Sequence, residues 1–287
     1  MTRSAVGARH GTPPGGPRSA PRATVGVVVT NYNHADYLRA AVDSVLAQTR
    51  LPERIVVIDD GSFDKSSEVL DALPASVEVV RQDNRGVVAA RNRGLDMLDT
   101  TYVAFLDADN YLLPDFLRWT ALAWDFPHTR RLAVVYTPCR CISPDGTRGY
   151  LHARVWDPER LRRQNYIDNM ALFSRRALVE VGGYCDTFNR IGLEDWDLLL
   201  RLAERGWTGR MVPAPLWCYR QLHGGRNAIA VDHHWAEVNA AIDALHPPDR
   251  LRPAPPWQRL AAKPLNLAQT VLRSRDARTW LRPPPPA

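Results

Sequence analysis

The 287-residue chain is poor in several features, and each absence narrows its function. No stretch of 18 apolar residues is present, so no segment reads as a transmembrane helix. The N-terminus is basic but lacks the apolar core of a signal peptide, and residence in the cytoplasm is expected. Only four cysteines occur, Cys139, Cys141, Cys185 and Cys218. Their spacing is not that of a zinc site, and they read as buried thiols in a reducing compartment. Lysine is nearly missing: Lys65 and Lys263 stand against an otherwise arginine-only basic set. With abundant Ala and Pro, this reads as bacterial codon bias from a GC-rich genome. No G-x-G-x-x-G follows the first apolar run, which argues against a dinucleotide-dependent dehydrogenase. No internal repeat is visible.

The net charge of +6 is unevenly placed. Residues 1–24 carry +4 and residues 247–287 carry +6, which leaves 25 basic against 29 acidic residues between them, a net of −4. A nucleic-acid binder is expected to be basic within its fold, so that class is disfavoured. Basic tails instead suit weak attraction to an anionic membrane, placing the protein peripherally on the inner membrane face. Residues 1–23 have almost nothing to bury and read as a disordered leader. A globular domain is expected over 24–246, in two halves at about 24–110 and about 111–246. Residues 247–287 form a basic, Pro-rich extension, in which Trp257, Leu260, Leu265, Leu267 and Val271 could rest on lipid.

Within the domain, β-branched runs alternate with helical spacing. Strands are expected at 25–30, 54–58, 77–81 and 101–106, with helices at 35–47, 66–73 and 86–98 between them. This is an α/β pattern with a mostly parallel sheet covered on both faces, in which ligands bind beyond the carboxyl ends of the strands. Further along, strands are expected over 132–142 and 148–155 around the Pro144-Asp145-Gly146 turn, and at 207–212 and 216–220. Helices are expected at 114–124, 175–181, 195–205 and 231–245.

Polar clusters sit at the strand ends. Asp107-Ala108-Asp109 can hold a hard divalent cation. Asp59-Asp60 can accept hydrogen bonds from a nucleobase or ribose, while Ser62 or Asp64 opens the next helix. Asn84-Arg85-Gly86 leads into a helix whose N-terminus, with Arg91, suits phosphate; Arg93 reads equally well as a solvated face. Glu194, Asp195 and Asp197 open another helix, where the macrodipole favours acids in any protein and a general base would also be well placed. His223 follows a strand.

The ordered segments VVVTNYNHADYLRAAVDSVLAQT, IVVIDDGSFDKS, DNRGVVAARNRGL, FLDADN and GLEDWDLLLRLAERG closely resemble the family 2 glycosyltransferases of the GT-A fold, over roughly residues 24–225. The resemblance implies a Rossmann-like domain that moves a sugar from a nucleotide-sugar, most often a UDP-sugar, to an acceptor hydroxyl with inversion. It implies a divalent cation, Mn²⁺ or Mg²⁺. It assigns the nucleotide-sugar site to Thr30, Asn31, Tyr32, Asn33, Asp59, Asp60, Arg91, Asn92 and Asp107. The metal falls to Asp109 and, through the family's Tyr-Arg-x-His pattern, to His223, although one extra residue here separates it from Arg220. Asp195 becomes the general base. Glu194 positions sugar or acceptor hydroxyls, and Asp197 pairs structurally. The Gln-x-x-Arg-Trp motif of processive synthases is absent, so single sugar additions are expected. The acceptor, whether glycan, lipid-linked or small molecule, is not readable. The rival reading is a non-catalytic nucleotide-sugar-binding or scaffold module on the same fold.

Overall fold

The computed structural model describes residues 23–126, 131–146, 148–151, 153–222 and 234–250. Residues 1–22 of the expected leader, residues 251–287 of the C-terminal extension and His223 lie outside the described residues.

Strand β1 (Val25–Asn31) is buried along its whole length, as its valine run requires. Helix α1 (Ala35–Leu46) buries Leu38, Ala41, Val42 and Val45 on one stripe. Then follow β2 (Arg54–Asp59), α2 (Ser66–Asp71), β3 (Glu78–Arg81), α3 (Val87–Met97) and β4 (Tyr102–Asp107). Each boundary lies within about two residues of its expected place. The second half contributes β5 (Tyr111–Leu112), α4 (Phe116–Asp125), β6 (Leu132–Tyr136), β7 (Cys139–Ile142), β8 (Arg148–Leu151) and α5 (Pro158–Arg163). After these come β9 (Leu172–Ser174), α6 (Arg175–Glu180), α7 (Glu194–Glu204), β10 (Thr208–Met211), β11 (Trp217–Arg220) and α8 (Trp235–Leu245).

Seven strands form the main sheet in the order β10-β6-β9-β4-β1-β2-β3. All neighbouring pairs are parallel except those of β9, which runs antiparallel to both β4 and β6. Two cores cover the two faces. Val25, Val27 and Val29 pack with α1 and α4, whereas Val28 packs with Val88 of α3, Leu178 of α6, Trp196 of α7 and Val238 of α8. This two-sided burial is why β1 reads as a continuous apolar run. Where α3 crosses β1 there is no room for a side chain: a Cβ on Gly94 would stand 2.3 Å from Val28 Cγ1.

The 132–142 segment departs from expectation. It is two strands in two sheets, because Pro138 follows Thr137 and cannot donate to a ladder. β7 instead joins a four-stranded sheet of order β5-β11-β7-β8. That sheet turns Leu112, Cys139, Cys141 and Trp217 into the first core. Cys139, Cys141 and Cys218 are buried free thiols, as expected, while Cys185 is half-buried and also free. None of the described helices is long and apolar enough to cross a membrane.

Candidate functional site

The carboxyl ends of β1 and β4 converge with the start of α7 on a cavity of about 390 Å³. This is small-molecule scale. The tight turn into α7 is made by Gly192 (φ 85°) and Leu193 (φ 60°), a left-handed pair that points the first residues of the helix at the cavity. Of the expected site residues, Thr30, Asn31, Tyr32, Asp60, Arg91, Asp107, Asp109, Glu194 and Asp195 line it.

Arg91 is the centre of the arrangement. Its side chain is 4% exposed, and it donates from Nη2 to Asp107 Oδ1 at 2.7 Å and from Nη1 to Glu194 Oε1 at 2.5 Å. Its guanidinium lies 5.4 Å from the centre of the Tyr184 ring. The two adjacent carboxylates hold Arg91 well above its ordinary range despite burial. Thr30 Oγ1 also donates to Asp107 Oδ1, at 3.1 Å. Arg91 is therefore spent on carboxylates and is not the phosphate fork expected of it. Glu194 is likewise held by Arg91 at the cavity wall.

Three expected contacts move out of the cavity. Asp59 Oδ1 accepts from Asn31 Nδ2 at 2.7 Å and Ser62 Oγ at 2.6 Å, so it stitches β1 to the following loop. Asn33, at φ 57°, accepts from Phe63 N–H at 2.9 Å and donates its own N–H to Ser62 Oγ at 2.9 Å. Asn92 clamps Tyr184 by donating to its carbonyl (2.9 Å) and accepting from its N–H (2.8 Å). Short polar residues at strand ends satisfy backbone groups as readily as ligands, and here they do. Asp64, not Ser62, meets the start of α2, accepting from Ser66 N–H at 2.9 Å.

The expected phosphate cradle before α3 is also occupied. Asp60 accepts from Gln82 Nε2 and from the Arg85 and Gly86 N–H groups at 2.7–2.9 Å. Asn189 Oδ1 accepts from Val88 N–H at 3.2 Å. The Arg85, Gly86 and Val88 N–H groups at this helix end are therefore taken by protein side chains. Arg93 Nη1 reaches Gln82 Oε1 at 3.1 Å on the surface, the solvated alternative.

Asp109 is different. Its Oδ1 is buried without a hydrogen-bond partner. Burial and the neighbouring Asp107 push its carboxyl up to about 7. An unsatisfied carboxylate beside a second one suits a hard cation. Among the described residues no group of three or more His, Cys, Asp or Glu could hold a metal ion, so ligand oxygens would have to complete such a site.

Asp195 occupies the opposite wall. Its Oδ1 accepts from Asn165 Nδ2 at 3.1 Å and from the Trp196 N–H at 2.8 Å. Burial, then Asp168 and Glu194, push its carboxyl up to about 8. Asp197 points away: its Oδ2 accepts from Arg201 Nη2 at 2.6 Å and its Oδ1 lies 3.0 Å from His246 Nε2. That is the structural pairing expected of it.

The sequence reading did not single out four wall residues. His34 is partly buried and held below its usual range by that burial. Arg220 donates to the Asp109 carbonyl at 2.8 Å and lies between the rings of Tyr37 (5.2 Å) and Tyr111 (4.8 Å). Asp168 and Asn169 arrive on the irregular segment before β9. The Tyr-Arg pattern pointed toward Arg220. Nothing local marks Asp168 or Asn169.

Residues 26–182 match the family described as Glycosyl transferase family 2. The chain belongs to glycosyltransferase family 2. It is 28% identical over 231 residues to a chondroitin synthase of Pasteurella multocida, across 76% of this chain but 23% of that protein. A chondroitin synthase of Escherichia coli is 28% identical over 234 residues, across 77% of this chain and 33% of that one. The chain thus spans about a quarter to a third of these relatives. The structure of S. aureus TarS 1–349 in complex with UDP-GlcNAc superposes with a TM-score of 0.62 at 16% identity, across 77% of this chain and 66% of that one. The fold is GT-A.

The Arg91 bridge yields a stability prediction for this glycosyltransferase. Arg91→Met should cost about 3 kcal/mol, because it leaves the buried Glu194 and the part-buried Asp107 without their cation. Urea unfolding of both proteins at pH 7 measures it. A loss below about 1 kcal/mol would show the bridge to be dispensable.

Proposed function

We propose that this glycosyltransferase moves a single sugar from a nucleotide-sugar, in the first instance a UDP-sugar, to an acceptor hydroxyl with inversion. The observation that carries the reading is Asp195, a carboxyl raised to about 8 on the wall of the cavity that Asp107 and Asp109 also line. A base of that strength is matched to taking a proton from a hydroxyl near neutral pH. Asn165 fixes the orientation of the carboxylate. An acceptor deprotonated by Asp195 would attack the anomeric carbon from the face opposite the departing diphosphate, which is what inversion requires. A scaffold module has no need of an orphaned Asp109 and a basic Asp195 in one cavity.

GT-A enzymes generally use a divalent cation, and Asp109 with Asp107 fits one. Bound Mn²⁺ or Mg²⁺ would neutralise charge on the diphosphate. Asp109 would hold it, and Asp107, fixed by Arg91 and Thr30, would face ribose or sugar. Tyr32, exposed at the rim and edge-on to Phe63 at 6.2 Å, offers an aromatic face to the nucleobase.

Asp195→Asn should retain nucleotide affinity while turnover falls about 10²–10⁴-fold. The wild-type rate should rise with pH through about 8, because only the deprotonated carboxylate accepts a proton, and then level off. Steady-state kinetics from pH 6 to 9 check both. A residual rate within a few-fold of wild type would remove Asp195 from the mechanism, and a greater loss in Asp197→Asn at intact stability would transfer the role there.

Asp109→Asn should abolish most of the gain in nucleotide affinity that Mn²⁺ provides. In the wild type that gain should shrink as pH falls below about 7, where protons compete for Asp109. Calorimetric titration of UDP with and without Mn²⁺ at pH 6 and 8 reads this; a pH-independent gain in both proteins would refute the assignment.

The basic extension leads to a further proposal, that the enzyme rests on an anionic inner-membrane face, with support from the +6 charge of residues 247–287 alone. The full chain should co-sediment with anionic liposomes, and a chain ending at Leu245 should not. Equal sedimentation of the two would exclude it.

A further inference from the structure

The cavity wall contributed by residues 168–170 has unmet hydrogen-bonding capacity. Asn169 is 3% exposed. Its Oδ1 accepts from the Tyr184 hydroxyl, while its Nδ2 is buried with no hydrogen-bond partner. A buried donor left unpaired is costly, and a ligand acceptor would recover that cost. Asp168 lies next to it. One of its oxygens is fixed by accepting from Met170 N–H at 3.1 Å, and the other has no protein partner among the described residues. Met170, 2% exposed, adds an apolar thioether to the same wall. In sequence order the wall therefore presents an acceptor, a donor and an apolar surface.

The β4–β9 register sets where this wall stands. Tyr102, Val103 and Ala104 pair with Ser174, Phe173 and Leu172. Continued antiparallel, that register carries Asn169 toward Asp107 at the cavity. The wall thus stands between the carboxylates of β4 and Asp195, where the transferred sugar of a nucleotide-sugar would lie.

We propose that Asp168, Asn169 and Met170 read an acetamido group on the donor sugar: Asp168 accepts from its amide N–H, Asn169 Nδ2 donates to its carbonyl, and Met170 packs against its methyl. A hydroxyl at the same carbon must make both polar contacts from one oxygen, and it has no methyl to place against Met170. The donor class is then an N-acetylated hexosamine. This rests on the nucleotide-sugar reading given above.

The test is calorimetric, with the full chain and Mn²⁺, in parallel uridine and thymidine series. The probes are the nucleoside diphosphate, its glucose conjugate and its N-acetylglucosamine conjugate. Wild type should bind the N-acetylated conjugate at least about tenfold tighter than the glucose conjugate, the scale of one good buried hydrogen bond. Asn169→Leu and Asp168→Asn should each bring that ratio to within about twofold while leaving affinity for the free diphosphate unchanged. If Asn169→Leu does not fold, Asp168→Asn, nearly isosteric, decides the matter. A wild type that binds the diphosphate but prefers neither conjugate overturns this assignment and leaves the donor reading standing. Variants that keep the preference also overturn it. Failure of every nucleoside diphosphate to bind overturns the donor reading, and this assignment with it.

Discussion

One buried cation holds the two halves of this domain together. Arg91 enters from α3 and bonds to Asp107 at the end of β4 and to Glu194 at the start of α7. A guanidinium suits this task, because its planar fork satisfies two carboxylates at a fixed angle and the Tyr184 ring supports it from one side. Carboxylates taken out of water are costly unless a cation accompanies them. Asp107 and Glu194 meet on one guanidinium, which also fixes the end of β4 against the start of α7. Asn92, one residue on, clamps the backbone of Tyr184, so the ring beneath Arg91 is fixed from the same helix.

The first half of the fold is legible in the sequence because its strands are buried on both faces. The runs ending at Thr30, Ile58 and Leu106 need no distant partner to be recognised. The second half is not. β9 has three residues and pairs with strands about 40 and 70 positions away, too short to carry a period of its own. The 132–142 segment looks like one strand until Pro138 divides it between two sheets. The site shows the same split. Asp107, Asp109, Glu194 and Asp195, which abut strong elements, all line the cavity. Asp59, Asn33 and Asn92 carry the right chemistry but spend it on loops, a difference visible only in their bonding partners. Asp168 and Asn169 belong to the site solely through strand register, for which no local signal exists.

Charge completes the picture. Asp107, Asp109, Asp168, Glu194 and Asp195 face one cavity, against which Arg91 and Arg220 also lie. Arg91 is committed, and Arg220 gives a bond to the Asp109 carbonyl. The raised carboxyls, about 6 at Asp168, 7 at Asp109 and 8 at Asp195, come first from burial and then from the neighbouring acids. Such a cavity attracts positive charge, and any cation entering would lower all three together.

The reversed strand has a consequence of its own. In a wholly parallel sheet, only the chain leaving a strand reaches the carboxyl edge. Because β9 runs against β4 and β6, the chain entering it reaches that edge instead. The segment before β9 is therefore free of the turn into the helix that follows, which begins at Arg175 on the far side. Substitutions at Asp168 can remodel that wall while the β1–β4 framework stays as it is, whereas Asn165 and Asn169 are tied to Asp195 and to the Tyr184 hydroxyl. The fold thus has one exchangeable position beside a fixed frame, a natural place to retarget this enzyme by design.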